Sequence, residues 1–284
     1  MRCARNERCR ATSVLYTFTK TPYAMRWIIL IFWLGWMGCA GGSAATSEIG
    51  TDVAVRQPLE AYLSGHATGD GAHFKSAFSE TANLFFFTPD GRFTKRTGTD
   101  YIAGASGKPA TDEAQRKRQI DWVRVTGTTA LARITLDYPA AKLTDYMVLQ
   151  RTGNTWKIVS KIFHSDPVGR TRMIPDAARV QEPLQAYIAA LRAGKMSEKT
   201  LIYHDEARIS RATPSGFQEQ TADAFWMVKA SEKRPSVVKI AFEDVQGTVA
   251  VATISGQTGR KKWMDQMALV WTGERWQILY QTTP

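Results

Sequence analysis

The body of this chain repeats itself, and the repeat limits the folds that it can adopt. Residues 54–91 align without gaps to 179–216, with ten identities in 38 positions. Residues 120–159 align in the same way to 240–279, with fifteen identities in 40 positions. A repeated unit of this size is far longer than the unit of a solenoid array. The sequence therefore predicts two tandem domains of one fold.

The repeat divides the chain into four parts. These are a leader (1–44), a first domain (54–164), a linker (165–178) and a second, more diverged domain (179–284). The linker contains Pro167, Gly169 and Pro175 and has no apolar period, which is usual for a connection between domains. The leader therefore lies outside the repeated fold.

Each half begins with a helical pattern and ends with strand patterns. In the first half, Val55, Leu59 and Tyr62 recur at the spacing of a helix that Gly69 ends. Turn signals then separate a second short helix ending at Phe78, a strand at 84–87, a short helix at 101–105, and strands at 115–125, 128–138, 142–151 and 155–164. This order predicts an α+β domain whose helices pack on one face of a curved antiparallel sheet.

Two segments of the first domain carry a resemblance to a known superfamily. They read YLSGHATGD near its start and DYMVLQRTGNTWKIVSKIFH at its end. They resemble the nuclear transport factor 2-like superfamily, which includes ketosteroid isomerases and SnoaL-like cyclases, and within it the putative lumazine-binding proteins. The resemblance implies two cone-shaped domains that hold a ligand inside the cone. It also implies sheets that pair, either within the chain as a pseudo-dimer or in a homodimer.

An acidic residue lies on the apolar face of the same strand in both halves. Asp145 alternates with Met147, and Asp265 repeats the position. A carboxyl held protonated by burial can donate a hydrogen bond to a developing oxyanion, as in ketosteroid isomerase. The resemblance matches the oxyanion-hole Tyr and Asp of that enzyme with Tyr62 and Asp145, and with Tyr187 and Asp265. The alternative is a Tyr–Asp pair that only stabilises the interior.

The general base of an isomerase is missing from its expected strand. Phe86 takes that place in the first half and Arg211 takes it in the second, and neither side chain can accept a proton. Because an isomerase needs a base within reach of the substrate, the sequence excludes an isomerase that uses this strand position.

The histidines of the first half are the remaining candidates for proton transfer. His66 and His73 flank the turn at Asp70, where they can approach each other at the mouth of the cone, and His164 lies on the closing strand. The alternative is that they are surface residues and that Asp70 caps a helix. Their spacing does not resemble a metal site, and we expect neither a metal nor a cofactor.

Aromatic side chains are abundant in the first half and either line an open cone or fill it. The expected ligand is a small, partly aromatic molecule. The side chains expected to contact it are Tyr62, Phe86, Trp122, Asp145, Met147 and His164, with Tyr187 and Asp265 in the second domain.

The leader contains an eleven-residue apolar run, Trp27–Met37. A bilayer-spanning helix needs about 20 apolar residues, so this run is typical of an export signal. Cys39 ends the run in a context similar to a bacterial lipoprotein cleavage site, and cleavage after Ala44 is the alternative. We expect export to the bacterial periplasm, free or lipid-anchored to the envelope, with membrane contact only through the leader or a lipid. Translation begins at Met1 or Met25.

Charge and cysteine content exclude two further classes of protein. The formal charge of +11 falls to +6 without the leader, and the basic clusters of the body, such as 116–118, are at most three residues long. This is too little for a nucleic-acid-binding surface. All three cysteines lie in the first 39 residues, which excludes a disulfide framework or a Cys-based zinc site in the body.

The sequence favours a binding protein over an enzyme. The leading hypothesis is an exported, non-catalytic protein that binds a small ligand. One alternative is a cyclase, isomerase or dehydratase that uses Tyr62 and Asp145, with His66 or His73 as the base. The other is a structural envelope protein that docks a partner through its sheets.

Overall fold

The computed structural model describes residues 53–88, 92–169, 175–196, 198–213 and 215–283. The leader with Cys39 and the middle of the linker lie outside the described residues. The predicted α+β class and the tandem arrangement are confirmed, since each half carries three α-helices and a six-stranded sheet. Within the described ranges, no helix is long and apolar enough to cross a membrane.

The first half has helices on either side of its first two strands. The helices are α1 (Val53–Thr68), α2 (Gly71–Ala77) and α3 (Gly98–Ala103). The strands are β1 (Phe78–Phe87), β2 (Phe93–Thr97), β3 (Lys117–Thr126), β4 (Thr129–Tyr138), β5 (Ala141–Thr152) and β6 (Thr155–Pro167). A short 3-10 helix, Glu113–Gln115, precedes β3.

The second half repeats this order. A 3-10 helix, Ala177–Val180, leads into it. The helices are α4 (Gln181–Ala193), α5 (Lys199–Ile202) and α6 (Ala222–Lys229). The strands are β7 (Tyr203–Thr213), β8 (Gly216–Thr221), β9 (Val237–Gln246), β10 (Val249–Thr258), β11 (Lys261–Trp271) and β12 (Trp276–Thr283).

Each sheet contains one parallel pair of strands that the sequence pattern did not predict. The strand order is β2-β1-β6-β5-β4-β3 in the first half and β8-β7-β12-β11-β10-β9 in the second. β1 runs parallel to β6, and β7 runs parallel to β12, whereas the other pairs are antiparallel. The short strand β2 was also missed, because only Phe93 among its five residues is apolar.

The apolar stripe of α1 packs on the inner face of the first sheet. Val55, Leu59 and Tyr62 are fully buried there, in the same cluster as Met147 and Trp156. The helix ends at Thr68, before Gly69, whose φ of +72° is a conformation that glycine adopts without strain. The inner face is therefore a filled hydrophobic core over much of its area.

The opposite faces of the two sheets pack against each other. One buried cluster combines Phe85, Tyr146 and Ile162 of the first half with Val251 and Tyr280 of the second. Polar contacts also cross this interface. They include a salt bridge of 3.2 Å between Arg133 and Asp244 and a hydrogen bond of 2.6 Å from Ser210 Oγ to Gln150 Oε1. The outer faces of both sheets are thus covered within the chain.

Candidate functional site

A buried polar group of three side chains lies between α1 and the inner face of the first sheet. Tyr62 Oη donates a hydrogen bond of 2.6 Å to Asp145 Oδ2. Lys161 Nζ donates one of 2.7 Å to Tyr62 Oη and lies 3.1 Å from Asp145 Oδ2. Asp145 and Lys161 lie on the neighbouring strands β5 and β6, where Lys161 is paired with Met147. The structure therefore brings together Tyr62 and Asp145, as expected, and adds a lysine.

Burial dominates the electrostatics of this group. The side chain of Asp145 has no solvent exposure, and that of Lys161 is 4 % exposed. Burial lowers the pKa of Lys161, and the carboxylate of Asp145 opposes that shift. Burial, together with Asp145, raises the pKa of Tyr62 well above its ordinary value. Tyr62 is therefore a hydrogen-bond donor rather than a phenolate at neutral pH.

One oxygen of the buried carboxyl group lacks a partner. Asp145 Oδ2 accepts from Tyr62, but Asp145 Oδ1 has no hydrogen-bond partner among the described residues. A buried acceptor without a partner costs about 1–3 kcal/mol, so such atoms in folded proteins call for an explanation. A donor supplied by a ligand is one explanation.

His66 lies beside this group and is held by two tyrosines. Its ring centroid is 4.6 Å from that of Tyr62. Tyr101 Oη lies 2.8 Å from His66 Nε2, and Tyr138 Oη lies 3.2 Å from His66 Nδ1. Burial, with the charges of Lys161 and Arg118, lowers the pKa of His66 to about 3. The imidazole is therefore neutral and a weak base.

We expect the ring of His66 to stay neutral between about pH 5 and pH 8, because a pKa near 3 lies well below that range. NMR titration of the imidazole signals measures this directly, and the variant His66→Leu assigns them. Leucine is the residue that the second half carries at the equivalent position, Leu191. A titration midpoint near 6.5 would show that the ring is solvated and free to act as a base.

A partly exposed aromatic layer lies next to the buried lysine. Lys161 Nζ lies 4.5 Å from the centre of the Phe163 ring and 5.6 Å from that of Tyr101. Phe163 stacks on Phe86, with their centroids 5.1 Å apart. Phe86, at the strand position where the resemblance predicts a base, therefore belongs to the aromatic layer.

The second half builds a version of the same group that lacks the lysine. Tyr187 Oη donates a hydrogen bond of 2.7 Å to Asp265 Oδ2, and Gln281 Nε2 donates one of 3.0 Å to Tyr187 Oη. Tyr203 Oη donates one of 2.7 Å to Gln281 Oε1. Gln281 pairs with Met267 as Lys161 pairs with Met147, so glutamine replaces lysine at this position. Burial raises the pKa of Asp265 to about 6.

The comparison with known families identifies the fold seen here. The family model described as putative lumazine-binding matches residues 50–164 and again 175–282. The chain belongs to the putative lumazine-binding family. Membership of this family supports a ligand-binding role. A search of the curated proteins found no significant match.

The solved structures that this family member resembles include three NTF2-like proteins. One, from Shewanella baltica OS155 and of unknown function, is 27% identical over 40% of this chain and 92% of its own, with a TM-score of 0.37. Another, from Silicibacter pomeroyi DSS-3, is 21% identical over 40% and 93%, with a TM-score of 0.36. A third, from Methylobacillus flagellatus KT, is 24% identical over 43% and 99%, with a TM-score of 0.36.

Two residues that were expected to line the site of this family member lie on the wrong side of the sheet. Trp122 packs on Phe242 of the second half, with the ring centroids 5.4 Å apart. His164 Nδ1 lies 3.0 Å from Thr248 Oγ1, also in the second half, and His164 Nε2 lies 2.7 Å from Asp166 Oδ1. Both side chains belong to the interface between the sheets, so the structure does not place them beside Tyr62 and Asp145 as the prediction required.

Asp70, in the turn between His66 and His73, caps a helix. Asp70 Oδ1 accepts a hydrogen bond of 2.8 Å from Ala72 N at the start of α2, as the alternative interpretation proposed. The backbone of His73 donates to Asp70 O, while His66 turns towards the two tyrosines. Among the described residues, no hydrogen bond joins the rings of His66 and His73, and no cluster of side chains could hold a metal ion.

Proposed function

We propose that the protein is exported and that its first half binds a small, partly aromatic ligand without transforming it. The observation that carries this proposal is the unpartnered oxygen of Asp145 beside Lys161 and Tyr62. A ligand that donates a hydrogen bond to Asp145 Oδ1 would satisfy this acceptor. Export, with or without a lipid on Cys39, rests on the leader sequence.

The aromatic layer supports a ligand with a flat apolar body. Phe86, Phe163 and Tyr101 are partly exposed, whereas the polar group beneath them is buried. Because Asp145 has no solvent exposure, the proposal requires Phe163, which lies over Lys161, to move when the ligand binds. Aromatic rings around a few polar groups are the usual composition of a small-ligand site.

The absence of a competent base argues against catalysis at this site. Phe86 stands where an isomerase would hold its base, and His66, with a pKa of about 3, is a poor proton acceptor at neutral pH. Lys161 does not supply a free base either, because its Nζ donates a hydrogen bond to Tyr62 Oη. The structural alternative, docking through the sheets, loses support because those faces are buried against each other.

A thermal-shift screen tests ligand binding. A compound present at about 100 times its Kd stabilises the folded state by about 2.7 kcal/mol, which raises the Tm by about 5–10 °C for a chain of this size. We expect lumazine or another aromatic heterocycle to produce such a shift in the wild type and a much smaller one in Asp145→Asn, which changes the hydrogen bonding at Oδ1.

The matched control for this screen is Asp265→Asn, the same change in the second half. It should retain the full shift, because Asp265 lies outside the first-half site. If no aromatic compound stabilises the wild type, or if both variants lose the shift equally, the proposed site is wrong.

A further inference from the structure

The second half has an open groove that is separate from the buried polar group. It lies between α4 and β9 and has a volume of about 520 Å³. Its floor contains the apolar side chains of Ile188 and Ile240, and long polar side chains border it. Sites for small ligands usually measure about 300–1,000 Å³, so the groove is large enough for one.

Two hydrogen bonds from α4 to β9 close the ends of the groove. Gln181 Nε2 donates a hydrogen bond of 3.2 Å to Glu243 Oε1 at one end, and Arg192 Nη2 donates one of 3.2 Å to Val238 O at the other. The eleven residue steps of helix between the two donors and the five residue steps of strand between the two acceptors each span about 16 Å. The groove is therefore a slot about as long as an extended peptide of five residues.

One wall of the slot is the edge of a sheet. β9 is the last strand in the order of its sheet and pairs only with β10. The outer edge of such a strand offers backbone N–H and C=O groups to an added strand. A bulge at Ala241, where the register shifts between Thr253 and Ile254, interrupts this edge. A bulge limits pairing to a short segment, which disfavours the edge of a second copy.

The two ends of the slot carry opposite charges. Arg192 and Lys239 border the end at Val238, and Glu243 borders the other end. A peptide with its carboxylate at Arg192 and its ammonium at Glu243 would complement both ends. Its chain would then run antiparallel to β9, the favourable direction for a short pairing.

We propose that this slot binds a short, extended peptide of about five residues with an acidic C-terminal end. The peptide pairs with the edge of β9, its carboxylate lies against Arg192 and Lys239, and an apolar side chain covers Ile188. This site is distinct from the proposed site at Asp145, and neither requires the other.

The first half lacks this arrangement of charges. Ala67 stands where α4 has Arg192, and Arg118 stands where β9 has Val238. The guanidinium of Arg118 is paired with Glu113, with Nη1 2.6 Å from Oε1, and it also donates to His66 O. The proposed peptide site therefore belongs to the second half.

Isothermal titration of the full chain with the peptide Lys-Val-Thr-Val-Asp, with free termini, tests the proposal. We expect binding to the wild type and at least a tenfold weaker Kd for Arg192→Glu. Acetylation and amidation of the same peptide should weaken binding by a similar factor, because both terminal charges are removed. Arg192 is exposed, so the variant should fold normally, which circular dichroism verifies.

The matched control is Lys261→Glu, an equal change of charge at an exposed residue at the start of β11. It should bind the peptide as the wild type does. The proposal fails if the wild type gives no binding at millimolar peptide, or if Arg192→Glu and Lys261→Glu have the same affinity. It also fails if the wild type forms a dimer that Arg192→Glu dissociates, since the occupant would then be a second copy.

Discussion

Replacement of Lys161 by methionine is expected to lower the free energy of unfolding by about 3–5 kcal/mol. The buried carboxylate of Asp145 lies 3.1 Å from the lysine ammonium and would lose its only cation among the described residues. Methionine matches the length and flexibility of the lysine stem, so little packing is lost. Urea denaturation, followed by circular dichroism, measures the change.

The second half supplies the matched control, Gln281→Met. Gln281 is neutral and donates a hydrogen bond of 3.0 Å to Tyr187 Oη. Its loss leaves polar groups without hydrogen bonds but removes no counter-ion. We therefore expect the free energy of unfolding to fall by about 1–3 kcal/mol. If Gln281→Met lowers the free energy of unfolding as much as Lys161→Met does, the contribution of Lys161 to stability does not come from its ion pair with Asp145.

The Tyr–Asp pairs could be predicted because their sequence signals are local. Tyr62 and Tyr187 lie on the apolar stripe of a helix, and Asp145 and Asp265 alternate with buried methionines on a strand. No bulge or break interrupts the helical period before the tyrosines or the strand alternation between each aspartate and its methionine. The repeat doubled each signal and indicated the fold class, whereas the pairing of each tyrosine with its aspartate came from the resemblance to ketosteroid isomerase.

Lys161 was missed, and His164 was misplaced, for one physical reason. β6 carries an extra residue, Val159, where its register with β5 shifts. Strict alternation from Ile158 would place His164 on the inner face and Lys161 on the outer face. The bulge reverses both positions, because a slip of one residue moves all later side chains to the opposite face. A single sequence contains no signal for such a bulge.

Trp122 was misplaced by the same mechanism in β3. The register of β3 with β4 shifts between Ile120 and Trp122, so Asp121 is the extra residue. Ile120 packs on the inner core, while Trp122 turns to the interface between the sheets. The predicted aromatic lining of the site therefore loses a tryptophan and gains Tyr101, whose contacts depend on tertiary packing.

Asparagine in place of Asp265 is expected to raise the free energy of unfolding at neutral pH. Burial raises the pKa of Asp265 to about 6 from 3.8, against the opposing effects of the hydrogen bond from Tyr187 and the charge of Lys229. A shift of this size corresponds to about 3 kcal/mol when the carboxyl is ionised. The amide oxygen of asparagine can still accept from Tyr187 Oη without carrying a charge, so we expect a gain of about 1–3 kcal/mol.

The sign of the pH dependence follows from the raised pKa. Between about pH 4 and pH 6 the folded state holds a proton on Asp265 that the unfolded state has lost, so wild-type stability falls as the pH rises through this window. Below it both states are protonated, and above it the full penalty is present. The difference between Asp265→Asn and the wild type should therefore grow from near zero below pH 4 to its maximum above pH 6, as measured by urea denaturation across this range.

The equivalent change in the first half should have the opposite sign. Asp145→Asn removes the carboxylate that neutralises Lys161 and leaves a buried ammonium without its charge partner, which is destabilising. The two halves share one fold and one Tyr–Asp geometry, so the opposite signs would arise from the replacement of Lys161 by Gln281 at the equivalent position. Equal destabilisation by both asparagine variants would contradict this account, since it would mean that the ionised carboxyl of Asp265 stabilises the folded state.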